Sequence, residues 1–255
     1  MKLFDSHLHL NHEKFQNQEA EIWQSANQAG VNQAVVVGYD LQSSQRAIAL
    51  AENLPGLYAS VGVSPHDILE APDDYYQQLE IMAQHPSVAA IGECGLEYHY
   101  PAGPKDIQIK HFLKQSKLAK DLGKILIIHL READEDFLNI LDTEPPHAAI
   151  LHCFTASTEV MEKSVELGYY ISFSGILTFK NAKDLHAIAP QVPASNLLIE
   201  TDSPYLAPIP YRGKMCEPKM IVETAQKLAE LREEELGVII DQTRINAQKA
   251  FKITD

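Results

Sequence analysis

Cysteine, positive charge and long apolar runs are all scarce in this sequence. Its cysteines, Cys94, Cys153 and Cys216, are too few and odd in number for a disulfide framework, which favours a reducing compartment. No apolar run approaches the ~18 residues of a membrane span. The first residues also lack the basic and apolar stretches of a secretory signal peptide. We therefore expect a cytoplasmic protein with no membrane-embedded part.

The shortage of positive charge limits the partners that the protein can attract. There are 35 acidic and 21 basic residues, which gives a formal net charge of -14. Such a surface repels nucleic acid at long range, although it also favours solubility. A phosphate-containing substrate would therefore have to be held by local cations or by metal ions. Nothing in the sequence indicates an obligate protein partner.

The size and composition suit a chain with a substantial core. Apolar residues make up 45% of the 255 residues, enough for one large α/β domain or two small ones. The sequence contains no internal repeat and no linker rich in proline, glycine and serine. We therefore expect one domain over residues 1–255.

Short apolar runs alternate with longer amphipathic stretches along the chain. Runs such as AVVV and ILII are continuously apolar, which is typical of strands buried on both faces in parallel sheets. The pattern predicts strands at Leu3–His7, Ala34–Gly38, Leu57–Val61, Val88–Glu93, Ile125–His129, Ala148–His152, Tyr169–Phe173 and Leu197–Glu200.

Helices are predicted between these strands, at about 106–122, 158–167 and 218–231. Eight strands separated by helices or loops, in a chain of this length, predict a single-domain (β/α)8 barrel of the TIM type. An open doubly wound sheet is the rival fold. It normally carries a glycine-rich phosphate loop after its first strand, and SHLHLNHEKF contains no glycine.

The first predicted strand carries polar residues at every second position. On a regular strand Asp5, His7 and His9 would share one face. Two imidazoles and a carboxylate would then converge on one spot. The opposite face would hold Phe4, Ser6, Leu8 and Leu10.

Other strands also end in groups that bind metals. Glu93, His129 and His152 end the fourth, fifth and sixth strands, and the eighth ends at Glu200 and Asp202. In a barrel these carboxyl ends form one rim, where active sites lie. Four histidines and at least two carboxylates exceed the needs of one tetrahedral ion, whereas two ions sharing a carboxylate would use them all.

The motifs FDSHLHL, AIGECGLEYHY, IIHLREA, LHCFTAS, LIETDSPYLAP and RGKMCEP resemble, in order, those of the TatD-like deoxyribonucleases. This family belongs to the metal-dependent amidohydrolase superfamily. The resemblance runs over essentially the whole chain. It implies a barrel with a divalent-metal centre that hydrolyses nucleic-acid phosphodiesters with a metal-activated water, often as an exonuclease.

The resemblance also assigns roles to individual residues. It implies that His7 and His9 bind one metal ion, that His129 and His152 bind a second, and that Glu93 bridges the two. Asp202 matches the aspartate that binds metal and takes the proton of the attacking water. Glu93 and Asp202 are therefore the predicted catalytic residues. Imidazole ligands favour zinc or manganese, whereas nuclease activity in the family is commonly associated with magnesium.

Four further residues are candidates for binding a DNA or other phosphodiester substrate. Arg131 lies two residues after His129, while Arg212 and Lys214 follow the eighth strand, and all three could bind phosphate oxygens. His66 could also contact the substrate.

The sequence departs from the family at three positions. Ser64, Glu97 and Cys216 stand where the family usually has histidine, aspartate and asparagine. We expect all three to line the substrate side of the site, which leaves the substrate open. One alternative is another hydrolase of ester or amide bonds, such as an aminoacyl-tRNA deacylase. Another is a non-catalytic module that binds nucleic acid and keeps a structural metal.

Overall fold

Eight parallel strands follow one another in chain order around one sheet within residues 2–253, which are the residues that the computed structural model describes. Each strand pairs in parallel with the next along the chain. The strands are Leu3–Leu8 (β1), Val31–Val37 (β2), Leu57–Val61 (β3), Val88–Glu97 (β4), Ile125–Arg131 (β5), Ala149–Leu151 (β6), Tyr170–Phe173 (β7) and Leu197–Ile199 (β8).

Backbone hydrogen bonds join the two ends of this sheet. The N–H of His9 donates to the carbonyl of Ser203 at 2.8 Å, and the N–H of Asp202 donates to that of His7 at 2.9 Å. The strand order and this closure confirm the predicted (β/α)8 barrel. A doubly wound sheet is excluded, because its strand order would reverse part-way.

Helices surround the barrel and connect its strands. Three helices were predicted, and all three are present with ends shifted by one or a few residues. The last begins with a short 3-10 turn, Pro218–Met220. The α-helices are Glu19–Gln28 (α1), Leu41–Asn53 (α2), Tyr75–Met82 (α3), Lys105–Asp121 (α4), Asp134–Thr143 (α5), Thr158–Glu166 (α6), Lys183–Ile188 (α7), Ile221–Arg232 (α8) and Leu236–Phe251 (α9).

The strand side chains divide into two apolar clusters. An outer cluster packs the strands against the surrounding helices. An interior cluster fills the barrel and includes α9, whose Phe251 stacks on Phe4 with ring centroids 5.7 Å apart. The amino-terminal end of the barrel is therefore closed by apolar packing. The interior cluster consists of Phe4, Val35, Val37, Ala90, Ile125, Ile127, Ile150, Leu198, Ala247, Ala250 and Phe251.

An extra residue in β1 changes which side chains face the interior. Asp5 pairs with Ala34 but Leu8 pairs with Val36, so three steps on β1 match two on β2. Such a bulge resets the alternation of the strand. Phe4 accordingly lies in the interior cluster while Leu8 lies in the outer one. The prediction that they share a face was therefore wrong.

β4 contains a similar irregularity in the stretch around Glu93. Ile91 pairs with Leu126, and Cys94 pairs with Ile128, so β4 again has one residue more than its neighbour. Without it, Glu93 would lie on the same side as Ile91, which belongs to the outer cluster. The strand also continues to Glu97, so Glu93 does not end it as predicted.

Glycine is required at the β4 irregularity. Gly92 has φ of 125°, in the region that L side chains rarely adopt. A Cβ at Gly92 would lie 2.5 Å from the carbonyl oxygen of Ile127 on β5. The close approach of β4 to β5 therefore depends on the absence of a side chain here.

No helix among residues 2–253 is long and apolar enough to cross a bilayer.

Candidate metal centre

Glu93 lies between two pairs of histidines at the carboxyl end of the barrel. Its Oε2 atom is 3.5 Å from Nε2 of His7 and 3.7 Å from Nε2 of His9. Its Oε1 atom is 2.9 Å from Nδ1 of His129 and 3.4 Å from Nε2 of His152. Each carboxylate oxygen thus faces one histidine pair, as expected of a ligand that bridges two metal ions.

Asp202 completes the group around His7 and His9. Its Oδ1 atom is 3.7 Å from Nε2 of His7 and 3.4 Å from Nε2 of His9. These nitrogen and carboxylate donors suit zinc or a similar divalent ion. The structure thus brings together all six residues that were predicted as ligands: His7, His9, Glu93, His129, His152 and Asp202.

Hydrogen bonds on the far side of the rings orient three of these histidines. Nδ1 of His9 contacts the carbonyl of Val37 at 3.0 Å. Nδ1 of His152 contacts Oε1 of Glu200 at 3.2 Å. An acceptor behind a histidine fixes the ring and directs the other nitrogen's lone pair toward the centre.

His129 faces the centre through its other nitrogen. Its Nε2 atom contacts Oε2 of Glu97 at 3.0 Å, which leaves Nδ1 toward Glu93. From the sequence, Glu200 was expected only as a strand-end carboxylate and Glu97 only as a departure from the family. Neither was predicted to contact a ligand. The spacing of two residues between Glu200 and Asp202 was the available signal for Glu200.

The two carboxylates of the centre are ionised. Burial raises the pKa of Glu93, but the charge of His152 and hydrogen bonds from His129, His152 and His7 outweigh this and hold it well below its usual value. Burial likewise raises the pKa of Asp202, but a hydrogen bond and the charge of His9, with the charges of the other imidazoles, lower it. The centre therefore offers a cation two carboxylates whose pKa values are lowered.

The pKa values of the histidines in the centre shift in different directions. Burial lowers the pKa of His152, yet the charge of Glu93 and the contact with Glu200 raise it well above its usual value. Burial and the charge of His152 lower the pKa of His7. These imidazoles must be neutral to bind a metal ion, so metal binding displaces protons.

Asp5 does not join this centre, although the alternation in β1 placed it with His7 and His9. Its Oδ2 atom accepts a hydrogen bond from the hydroxyl of Thr201 at 2.6 Å, and its Oδ1 atom accepts the N–H of Thr201 at 3.0 Å. Burial raises the pKa of Asp5 to about 8 despite these bonds. Asp5 therefore fastens β1 to the segment that carries Asp202.

The centre opens into a cavity of about 1260 Å³ at the carboxyl end of the barrel. His66, Arg131 and Arg212, three of the residues predicted to bind substrate, line this cavity. The guanidinium of Arg212 lies 4.0 Å from the centre of the Phe179 ring. Lys214 is exposed and is not among the lining residues; its Nζ atom lies 5.9 Å from the Tyr211 ring.

The three departures from the family do not all face the cavity. Ser64 and Glu97 line it. Cys216 is fully buried and packs with Ala207 and Met220, so the expectation that it lines the substrate side was wrong. A small apolar thiol in this position packs against neighbouring side chains and contacts no substrate.

The profile of the TatD related DNase family matches residues 4–252. The chain belongs to this family. The metal-dependent hydrolase YabD of Bacillus subtilis (strain 168), itself uncharacterized, is 40% identical over 253 residues, covering 98% of this chain and 99% of YabD. The 3'-5' ssDNA/RNA exonuclease TatD of Escherichia fergusonii is 32% identical over 259 residues, covering 99% of this chain and all of that enzyme.

A solved structure shows the same barrel. The crystal structure of YJJV, a TatD homolog from Escherichia coli K12, superposes with a TM-score of 0.92 at 29% identity, covering 99% of this chain and 98% of YJJV. Together with the matched relatives, this makes the chain a TatD-family metal-dependent hydrolase.

Proposed function

We propose that the protein is a two-metal deoxyribonuclease that cleaves phosphodiester bonds with water and acts as an exonuclease. The observation that carries this proposal is the position of Glu93, whose two oxygens face two separate histidine pairs. A structural metal site is usually closed by four protein ligands around one ion. A pair of ligand groups sharing one carboxylate at the bottom of an open cavity instead suits catalysis by two ions.

The metal ions would be divalent, and the donor set favours zinc or manganese over magnesium. His7, His9, Glu93 and Asp202 would hold one ion, and Glu93, His129 and His152 the other. When bound, such ions act as Lewis acids and lower the pKa of water.

Asp202 is the residue we assign as proton acceptor. One of its oxygens faces His7 and His9, and the residue lines the cavity from which water and substrate arrive. Its lowered pKa keeps it ionised near neutral pH, as a general base requires. In this position it orients the attacking water and receives its proton.

Arg131 and Arg212 are suited to bind the phosphate of the substrate. Both line the cavity, whereas the protein as a whole carries a net charge of -14. Guanidinium groups bind phosphate oxygens through two parallel hydrogen bonds. Local cations at the mouth would therefore bring a polyanion to a protein whose overall charge repels it.

The depth of the centre favours the end of a single strand as substrate. The ligands lie at the base of the cavity, and Asp202 is only 8% exposed. A strand end can enter such a cavity more readily than the middle of a duplex can. The relative from Escherichia fergusonii, a 3'-5' ssDNA/RNA exonuclease, supports this choice.

The test is hydrolysis of end-labelled single-stranded and duplex DNA by the purified protein with Zn²⁺, Mn²⁺ or Mg²⁺. We expect the wild type to shorten the single strand stepwise, and we expect Asp202→Asn and His7→Ala to lose this activity. Asp121→Asn is a matched control that should retain activity, because Asp121 is exposed at the carboxyl-terminal end of α4. Full activity of Asp202→Asn would contradict the role assigned to this residue.

A second candidate function is hydrolysis of an aminoacyl ester. Glu132, Asp134 and Glu135 line one side of the cavity, and their carboxylates would suit a substrate that carries an ammonium group. Hydrolysis of aminoacyl esters and of single-stranded DNA should be compared with the same metal-loaded protein. A much higher rate on the esters would favour this candidate over the nuclease.

A further inference from the structure

Glu97 lies behind His129 and is surrounded by hydrogen-bond donors. Its Oε1 atom accepts the backbone N–H groups of His99 at 2.6 Å and Tyr100 at 2.9 Å. Its Oε2 atom is 3.0 Å from Nε2 of His129 and 3.6 Å from Nε2 of His66. The residue is 2% exposed, so these contacts hold it in place.

The Glu97 carboxylate faces donors on both of its oxygens. Oε1 accepts two backbone N–H groups, and Oε2 faces the ring nitrogens of His129 and His66. A carboxylate held in this way presents lone pairs only. The His129 nitrogen that faces it must therefore carry a proton.

We propose that Glu97 is a positioning residue that holds His129 as the tautomer with a free Nδ1 lone pair, and so sets metal affinity at the second histidine pair. The inference rests on the proposed two-metal centre. His129 faces the centre through Nδ1. The other three histidines, His7, His9 and His152, face the carboxylates of the centre through Nε2.

A third metal ion is the alternative reading of the same atoms. Donor atoms of His66, Glu97 and His129 lie within 4.8 Å of one another, which is close enough for a shared ion. His129 would then have to bind metals through both ring nitrogens. Oε1 of Glu97 already accepts two backbone N–H groups. The positions of the donors therefore favour hydrogen bonding.

Glu97→Gln keeps the size of the side chain but changes its charge and its hydrogen-bonding groups. Its side-chain amide has one oxygen and one NH2 group, whereas Glu97 presents an oxygen both to the loop and to His129. If the NH2 group faces His129, that ring must present a lone pair at Nε2 and carry its proton on Nδ1. If the NH2 group faces the loop, it meets two N–H donors. The first arrangement opposes the tautomer that the second metal requires, and the second keeps that tautomer only by leaving two backbone N–H groups without an acceptor.

The experiment is a titration with Zn²⁺ in competition with a chelator, on the full-length protein. We expect Glu97→Gln to lower the affinity for one of the two ions by about 10- to 100-fold, the usual effect of removing a hydrogen-bond partner behind a metal ligand. Glu97→Asp, which keeps the carboxylate, should restore most of this affinity. Glu52→Gln is the matched control, because Glu52 is exposed and contacts His85, which is not a ligand.

A second measurement needs no substitution. Nitrogen-15 spectra of histidine side chains in the Zn²⁺-loaded wild type should show His129 bound through Nδ1 with a proton on Nε2. The other three ligand histidines should be bound through Nε2. This signature is independent of whether Glu97→Gln folds.

The outcomes separate this inference from the proposed function. Unchanged affinity for both ions in folded Glu97→Gln, or binding through Nε2 of His129, would overturn the role of Glu97 while leaving a two-metal centre. Three ions in the wild type, one of them lost in His66→Ala, would show that Glu97 is itself a ligand and overturn it as well. A wild type that binds no divalent ion would refute the two-metal centre.

Discussion

Two groups of strands deliver the side chains of the metal centre, both ligands and the carboxylate behind His152, to the same rim by different means. In β5, β6 and β8 the polar residue follows the regular alternation, since Ile127, Ile150 and Leu198 of the interior cluster are each followed two positions later by His129, His152 and Glu200. In β1 and β4 an extra residue lies in the stretch that holds the ligand, between Asp5 and Leu8 for His7 and between Ile91 and Cys94 for Glu93.

The difference shows what the ligands of each group require. A ligand on a regular strand needs only a polar residue at the next interior position. A ligand on a bulged strand needs a backbone that departs from the ladder, because otherwise its side chain would point at the surrounding helices. The position of Glu93 therefore depends on local backbone geometry, and that of His129 on periodicity.

The largest expected effect is that of removing the bridging carboxylate on a bulged strand. Glu93→Gln should lose affinity for both ions, because Glu93 faces both histidine pairs. His129→Ala, on a regular strand, should lose one ion and keep the other. We expect hydrolysis by Glu93→Gln to fall by ~10²-fold or more. Metal content per chain and kcat/KM measure both effects, and equal losses in the two variants would contradict the bridging position.

The glycine of the β4 bulge provides the next test. Gly92→Ala places a methyl group 2.5 Å from the carbonyl of Ile127 and strains a backbone with φ of 125°. We expect a loss of about 1–3 kcal/mol in the free energy of unfolding, together with weaker metal binding.

Gly168→Ala is the control for the backbone conformation alone. Gly168 also has a positive φ, of 78°, but a Cβ there meets nothing within 4 Å. It should lower stability in chemical denaturation without changing metal affinity. A Gly92→Ala variant that binds both ions normally would show that the β4 bulge tolerates a side chain.

The contrast between the strands also explains how much could be predicted from the sequence. The ends of continuous apolar runs placed His129 and His152 at the rim, where the structure also has them, and the barrel followed from the order of strands and helices. Alternation along the first strand put Asp5 on the wrong face, and the end of an apolar run stopped β4 at Glu93, because a bulge leaves no periodic signal. The contacts of Glu97 and Glu200 with ligand histidines depend on packing between strands, which a single sequence does not reveal.

Two buried groups near the rim, His152 and Asp5, should make the stability of the fold depend on pH. The folded-state pKa values of His152 and Asp5 are raised, that of Asp5 to about 8. The stability that their protons provide is therefore lost as pH rises from neutral through those values, by up to about 1.4 kcal/mol per proton and pH unit. With the chelator present, thermal unfolding should occur at lower temperature at pH 8.5 than at pH 7.

Zn²⁺ should reverse this trend, because it replaces the protons on the ligand histidines. The same comparison of unfolding temperatures with Zn²⁺ in place of the chelator checks the reversal. A metal-free protein whose stability rises over this pH range would contradict the raised pKa values.

The smallest effect is expected inside the barrel on a regular strand. Ile127 lies in the interior cluster, two residues before His129, and is 1% exposed. Ile127→Val removes one methylene and should cost about 0.5–1.5 kcal/mol of unfolding free energy. Alternation along β5 would still direct His129 to the rim, so Zn²⁺ affinity should not change. If this variant weakened metal binding as much as Gly92→Ala, ligand placement on regular strands would depend on packing beneath the ligand, and the distinction between the two groups of strands would not hold.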